Sequence, residues 1–229
     1  PAGNVGVQIH HIKAIANADD IRWYISPQDL NRIGELFTTG KYPNRQYVNA
    51  GGNGLNTNIM YNILIGTPIS NFIDLKEDEL RIISGDLLNG KEIDSQNALN
   101  YYDEIVSVIK TDYKREFLGW MTPGLKKYSL TNTFLSKLNN YSDAKLSTKV
   151  NGSLRTIIPM GNWDKVMPMN ILTEYLVKSI LIEDIDMMEK LGIYECSPED
   201  FALCAFACQS KVEVSKIIEE GLDLMEKEG

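Results

Sequence analysis

The chain has 229 residues, 43% hydrophobic, 24% charged and 9% aromatic, enough for one large domain or two to three small ones. Its formal charge of −8 and pI near 4.9 argue against a nucleic-acid binder, which needs a basic face to displace phosphate counterions, and against adsorption to anionic lipid by charge alone. Three cysteines fit a reducing compartment better than a disulfide scaffold, and no run of eighteen apolar residues predicts a membrane span.

Pro1-Ala-Gly opens directly into an apolar run without an initiating Met, which predicts an excised piece of something longer. Val5 to Ile12 alternates loosely and predicts a β-strand; Ile21-Arg-Trp-Tyr-Ile25 predicts a second. Ser26-Pro27-Gln-Asp29 is a helix start, with Ser at the N-cap, Pro at the first helical position and an acid in the first turn. Leu30, Ile33 and Phe37 follow at helical spacing and Gly40 can close the helix. Two strands and a helix predict the last part of an α/β domain over residues 1–44.

A second module is predicted over 45–90. Tyr47–Ala50 and Asn58–Ile65 are strands flanking the turn Gly51-Gly-Asn-Gly54. Thr67-Pro68 caps a short helix carrying Ile69, Phe72 and Ile73, and Leu80–Ile83 returns as a strand. This order is the plan of a small β-grasp module. Residues 91–165 read as a β-rich connector: Glu104–Lys110 and Arg115–Trp120 are strand candidates, and Asn151-Gly152 predicts a hairpin between Leu146–Val150 and Ser153–Ile158. From 166 to 229 the pattern is helical, with caps expected at Asn170, Asp184 and Ser197 and a capping box at Ser210-Lys-Val-Glu213. The fold class is therefore α+β, ending in a small helical bundle.

The cysteines pose the main chemical question. Cys196, Cys204 and Cys208 have the spacing C-x7-C-x3-C, whereas an iron–sulfur cubane wants three thiolates bunched in a short loop and zinc wants four ligands. Cys204 and Cys208 fall on one face of an apolar helix with Ala205, Phe206 and Ala207 between them, which predicts core thiols. His10-His11, on opposite faces of a strand, cannot chelate one metal together. The glycine turn lacks the lysine and following helix of a phosphate loop. No catalytic, cofactor or metal site can be assembled from the residues. Trp163, Met167 and Met169, clustered among Gly161 and Pro168, are either a contact for an apolar ligand or partner, or the loop by which the chain enters the bundle core.

Several blocks in order carry a family resemblance: Pro1-Ala-Gly with Ile9-His-His11; Tyr47–Gly52; Arg81-Ile-Ile-Ser-Gly85; Glu116-Phe-Leu-Gly-Trp-Met121 with Pro123-Gly124; Asn151-Gly-Ser153; Pro159-Met-Gly-Asn162 with Val166-Met-Pro168; Asp200 to Cys208; and Glu226-Lys-Glu-Gly229. Together they resemble the C-terminal half of the A subunit of the bacterial sodium-translocating NADH:quinone reductase. That family is similar in fold to the NADH-binding flavoprotein subunit of complex I and to the C subunit of the Rnf complex. The resemblance implies a Rossmann-like α/β domain of which residues 1–44 are the tail, a β-grasp domain of the soluble-ligand-binding type over 45–90, and a bundle that carries cluster cysteines in those relatives. Here the closely spaced ligands are missing, which implies a bundle emptied of its cluster.

For function, the resemblance implies a peripheral subunit without its own redox cofactor, on the cytoplasmic face of the bacterial inner membrane. Its partners would be the other subunits of a sodium-pumping, NADH-oxidising complex, with ubiquinone or menaquinone as substrate and Trp163, Met167 and Met169 as candidate contacts. The piece alone would be inactive. Two alternatives stand beside it: an iron–sulfur electron carrier using Cys196, Cys204 and Cys208, and a small-ligand β-grasp module with Tyr47 and Tyr61 at a shallow site.

Overall fold

The computed structural model describes residues 3–75, 79–112, 116–125, 127–129, 132–138, 148–150 and 152–228. They form two compact units, Ser26–Asn151 and the pairing of Pro1–Ile25 with Gly152–Gly229.

In the unit Ser26–Asn151 the first element obeys its local signals. Helix α2 (Pro27–Thr39) starts where the Ser26 hydroxyl accepts the Asp29 N–H at 3.1 Å, and ends where Gly40, at φ 68°, donates to the Leu36 carbonyl. The strands are β1 (Arg45–Gly51), β2 (Ile59–Leu64), β3 (Leu80–Ser84), β4 (Lys91–Ile93) and β5 (Ile105–Lys110). They make one mixed sheet in the order β2-β1-β5-β3-β4, with β1 and β5 parallel and the other pairs antiparallel. Period-2 alternation turns Gln46, Val48 and Ala50 inward on β1. Val48, Ala50, Ile63, Ile69, Ile73, Ile82, Val106 and Val108 form the core. The Ile69–Asn71 turn supplies Ile69 to it as a short 3₁₀ segment.

Helix α2 is tied to β1 through polar groups. The Gln28 side-chain amide accepts the Tyr47 N–H at 2.6 Å and donates to the Tyr47 carbonyl at 3.3 Å, imitating a strand neighbour. The glycine turn after β1 wraps β5. At Gly52 (φ 123°) a Cβ would collide with the Val108 carbonyl, while Gly54 donates to that carbonyl and the Asn53 side chain accepts the Lys110 N–H. The turn is therefore a sheet fastening.

The other unit is helical: α1 (Val5–Lys13), α3 (Thr173–Leu181), α4 (Ile185–Lys190), α5 (Ala202–Ala207) and α6 (Val214–Glu228). Asp184 caps α4 by accepting the Met187 N–H at 3.0 Å. Helices α3 and α6 approach closely at Gly221, where a Cβ would lie 2.8 Å from the Ile180 side chain. Val7 of α1 joins a core containing Trp163, Leu176, Ile180, Met188, Phe201 and Ile218.

Several sequence expectations are corrected. Val5 to Ile12 is helix, not strand, because burying Val7 against the bundle outweighs the weak local preference of β-branched residues. Ile21–Ile25 forms no strand. Glu116–Trp120 makes turns instead of a strand, with Gly119 donating to Glu116 and Met121 to Leu118; Arg115 lies outside the described residues. Ser153–Ile158 forms no strand, and Leu146, Ser147 and Asn151 of the expected hairpin lie outside the described residues. Past Lys110, the described residues to 165 hold no strand. Helix α3 starts after Leu172 without a cap from Asn170. The Ser210 hydroxyl donates to the Thr156 carbonyl at 2.9 Å instead of closing a capping box.

Candidate functional site

The cysteines lie where the bundle is most apolar. Cys204 sits on α5, Cys208 follows as its extended C-terminal cap residue, and Cys196 ends a 3₁₀ turn at Ile193–Glu195. All three are free and buried. Their hydrogen-bonding directions diverge: Cys196 Sγ donates to the Gly192 carbonyl at 3.4 Å, and Cys204 Sγ to the Trp163 carbonyl at 3.9 Å. Burial pushes the Cys204 thiol up to about 12, assisted by the charge of Asp164 and by Cys208. Burial, then the charges of Glu195 and Asp200, push Cys196 up as well. Thiols of this kind stay protonated at neutral pH and are poor nucleophiles and poor ligands. Among the described residues no group of three or more His, Cys, Asp or Glu side chains converges as a metal site would require.

The loop carrying Trp163, Met167 and Met169 folds inward. All three side chains are buried in the bundle core, at 4%, 8% and 5% exposure. The Trp163 carbonyl organises the loop by accepting the N–H groups of Val166 and Met167 as well as the Cys204 thiol. A quinone reaching these side chains must first displace core contacts.

What pins that loop is a pair of residues whose partners lie far away in sequence. His10 Nδ1 is 2.5 Å from Glu195 Oε2, while the Asn170 N–H donates to His10 Nε2 at 3.2 Å. Because Nε2 accepts, the ring proton sits on Nδ1 and is donated to the carboxylate. His11 Nε2 donates to the Pro168 carbonyl at 3.0 Å. The two histidines thus hold both sides of Met169. Only helical geometry allows this, so a strand reading of the segment hides it.

Asp200 is the most unusual ionisable group in this unit. It is buried, and its carboxylate fills the space beside Gly6 in the first turn of α1, where a Cβ would collide with it. No donor reaches it with full hydrogen-bond geometry. Burial raises its pKa; Asn4 and the N–H groups of Ser197 and Val7 pull only partly the other way. No sequence pattern marks this residue, since its partner is a helix at the far end of the chain.

On the sheet unit, Tyr47 is exposed on β1, and Tyr61 is half-buried, packed edge-on against Phe72 with centroids 5.3 Å apart. The structure does not join the two tyrosines into an enclosed site. Shallow grooves of about 470 and 540 Å³ on this unit are lined by Leu75, Leu80, Ile82 and Ile93 and by Phe72, Ile73 and Ser95, and neither includes Tyr47 or Tyr61. No helix among the described residues is long and apolar enough to cross a membrane.

Comparison with known proteins adds what this geometry lacks. Residues 1–42 match the family model for the NqrA second alpha/beta domain. The whole chain aligns with proteins named as the A subunit of the Na(+)-translocating NADH-quinone reductase: 37% identity to that of Hahella chejuensis, 36% to that of Rhodopirellula baltica and 35% to that of Vibrio atlanticus. Each alignment covers 100% of this chain and 51–52% of the relative, so the chain spans about half the length of the curated relatives it matches. From end to end the chain is thus similar to about half of the A subunit of the Na(+)-translocating NADH-quinone reductase.

Proposed function

We propose that this chain acts as part of a peripheral subunit of a sodium-pumping NADH:quinone reductase, at the cytoplasmic face of the bacterial inner membrane. There it docks against other subunits of the complex and holds no redox cofactor of its own. The observation that carries this reading is the end-to-end match to subunits bearing that name. The structure supports it physically. Thiols held protonated inside an apolar bundle suit packing, and the histidines and carboxylates serve as fastenings between segments. The sheet order β2-β1-β5-β3-β4, with β1 parallel to β5, supports a β-grasp reading, and the match of residues 1–42 supports the reading of residues 1–44 as the tail of an α/β domain.

A share in the quinone site remains part of the proposal. If Trp163, Met167 and Met169 contribute, the loop between Gly161 and Asn170 opens to admit the ring. The iron–sulfur alternative requires Cys196 and Cys204 to turn from carbonyl partners toward a shared centre. The small-ligand alternative requires a site at Tyr47 and Tyr61 that the sheet leaves open.

The test is assembly. A complete subunit containing this segment, tagged and expressed with the other subunits, is expected to co-purify with them and with quinone reductase activity. Deletion of the segment is expected to abolish both. Normal assembly and quinone turnover without the segment refute the proposal.

A further inference from the structure

Helix α2 is built inside out. Its apolar residues Leu30, Ile33 and Phe37 recur at helical spacing and so share one face, yet none of them is buried and none joins the core of the sheet unit. Phe37 is 84% exposed, Leu30 59% and Ile33 43%. The face turned to the sheet is the polar one. Gln28 bonds the Tyr47 backbone in both directions. The Arg32 side chain, only 11% exposed, donates to the side-chain carbonyl of buried Gln46 at 3.1 Å and pairs with Asp29. Gly34 lies within the apolar stripe, where a Cβ would meet nothing.

A helix fastened by its polar face leaves its apolar face for something else. Residues 1–42 match the model of an α/β domain, yet the described residues of that stretch hold two helices and no strand. Strand β1 begins at Arg45, beyond the match, and belongs to a sheet whose core takes no side chain from α2. In an α/β domain a helix lays its apolar stripe on a sheet, and neither the matched stretch nor the sheet of β1 to β5 offers that surface to α2. About half of each aligned relative lies outside this chain, which is length enough to supply it.

We propose that the Leu30, Ile33 and Phe37 face of α2 docks on the apolar face of a β-sheet contributed by the half of the subunit outside this chain. Helix α2 is then shared between two domains, its polar face fastened to β1 and its apolar face closing the α/β domain. The missing side chain at Gly34 lets a strand approach closely. The composition of α2 favours a sheet over a lipid surface. It has no lysine, and its single arginine is engaged by Gln46 and Asp29, whereas interfacial helices carry Lys and Arg on a free polar face. A second copy is disfavoured by size, since three side chains fall well short of the roughly 800 Å² per partner that a stable complex buries. A contact within one subunit needs less area, because covalent linkage keeps the two surfaces at high effective concentration.

The inference rests on the subunit reading, but its test stays within one subunit, whereas that reading is tested by assembly with others. Amide hydrogen exchange across Leu30–Phe37 is compared in the 229-residue chain and in the complete subunit containing it. Exchange is expected to be about tenfold slower, or more, in the complete subunit. Ile33→Ala and Phe37→Ala are each expected to speed it about 10- to 100-fold there, because each strips a side chain that docking buries. In the chain alone the same substitutions should change it by no more than about twofold, since they alter exposed side chains. Gly34→Ala separates the two contexts by sign. It should slow exchange about fivefold in the chain alone, through helix propensity, and speed it in the complete subunit, through collision with the docked sheet. Equal exchange in the two contexts, or substitutions that act alike in both, overturns the proposal. So does a concentration-dependent dimer of the chain that Phe37→Ala dissolves, which assigns the face to a second copy. Protection of α2 that arises only when other subunits are added also overturns it, and assigns the face to them.

Discussion

Replacing Cys204 by Ser and, separately, by Ala tests whether the thiol is packing or chemistry. The side chain is fully buried, and its sulfur lies 3.9 Å from the Trp163 carbonyl oxygen. Alanine removes one buried heavy atom and should cost about 1–1.5 kcal/mol. Serine loses the same apolar volume and adds a hydroxyl. Oxygen lies closer to Cβ than sulfur does, so the hydroxyl cannot close that gap to the hydrogen-bond distance of about 2.8 Å. An unsatisfied buried hydroxyl adds about 1–3 kcal/mol, giving a total of about 2–4 kcal/mol. Urea unfolding followed by circular dichroism should therefore rank wild type above Cys204→Ala above Cys204→Ser, with unchanged slopes. A serine variant as stable as the alanine variant refutes the reasoning, because it requires water or a polar partner at this position.

Gly221→Ala should gain about 1 kcal/mol of helix propensity but lose more to the collision with Ile180, for a net loss of about 1–2 kcal/mol in urea unfolding; a stabilised variant contradicts the close packing of α3 and α6. Ser26→Ala should lose about 1 kcal/mol of stability in the sheet unit by stripping the α2 cap, read by thermal melting, while Ser210→Ala should leave the start of α6 intact. Asp200 has its folded-state pKa raised above the unfolded value, so its ionisation opposes folding. Its contribution is fully present below the ordinary carboxylate value of 3.8 and is lost as pH rises through the raised value. Asp200→Asn should remove that loss, flattening stability against pH above 3.8 and raising the urea midpoint at neutral pH; an unchanged pH slope contradicts the assignment.

How far the sequence foretells the fold depends on how local each signal is. Helix α2 is legible because its cap, its proline and its closing glycine all lie between Ser26 and Gly40. Strands β1, β2, β3 and β5 are legible from alternation and turn residues. Strand β4, three residues with a charged start, carries too little pattern to be found. Helix α1 reads as a strand because Val-Gly-Val-Gln-Ile has β-prone residues and no N-cap contact; its helicity depends on distant contacts at Glu195, Asn170 and Pro168. The apolar setting of the cysteines is readable from Ala-Leu-Cys-Ala-Phe-Ala-Cys. For Trp163, Met167 and Met169 residue type is consistent with either core or contact, and only tertiary packing places them in the core. Asp200 is invisible in the sequence, because nothing near it announces a buried carboxylate.

The most direct measurement is iron, zinc and acid-labile sulfide on protein purified without oxygen, together with its visible spectrum. The expected result is colourless protein with metal and sulfide near zero, and three thiols that react with iodoacetamide only after unfolding. Stoichiometric iron with sulfide and absorption in the visible would contradict it, making Cys196, Cys204 and Cys208 ligands and the bundle an electron carrier.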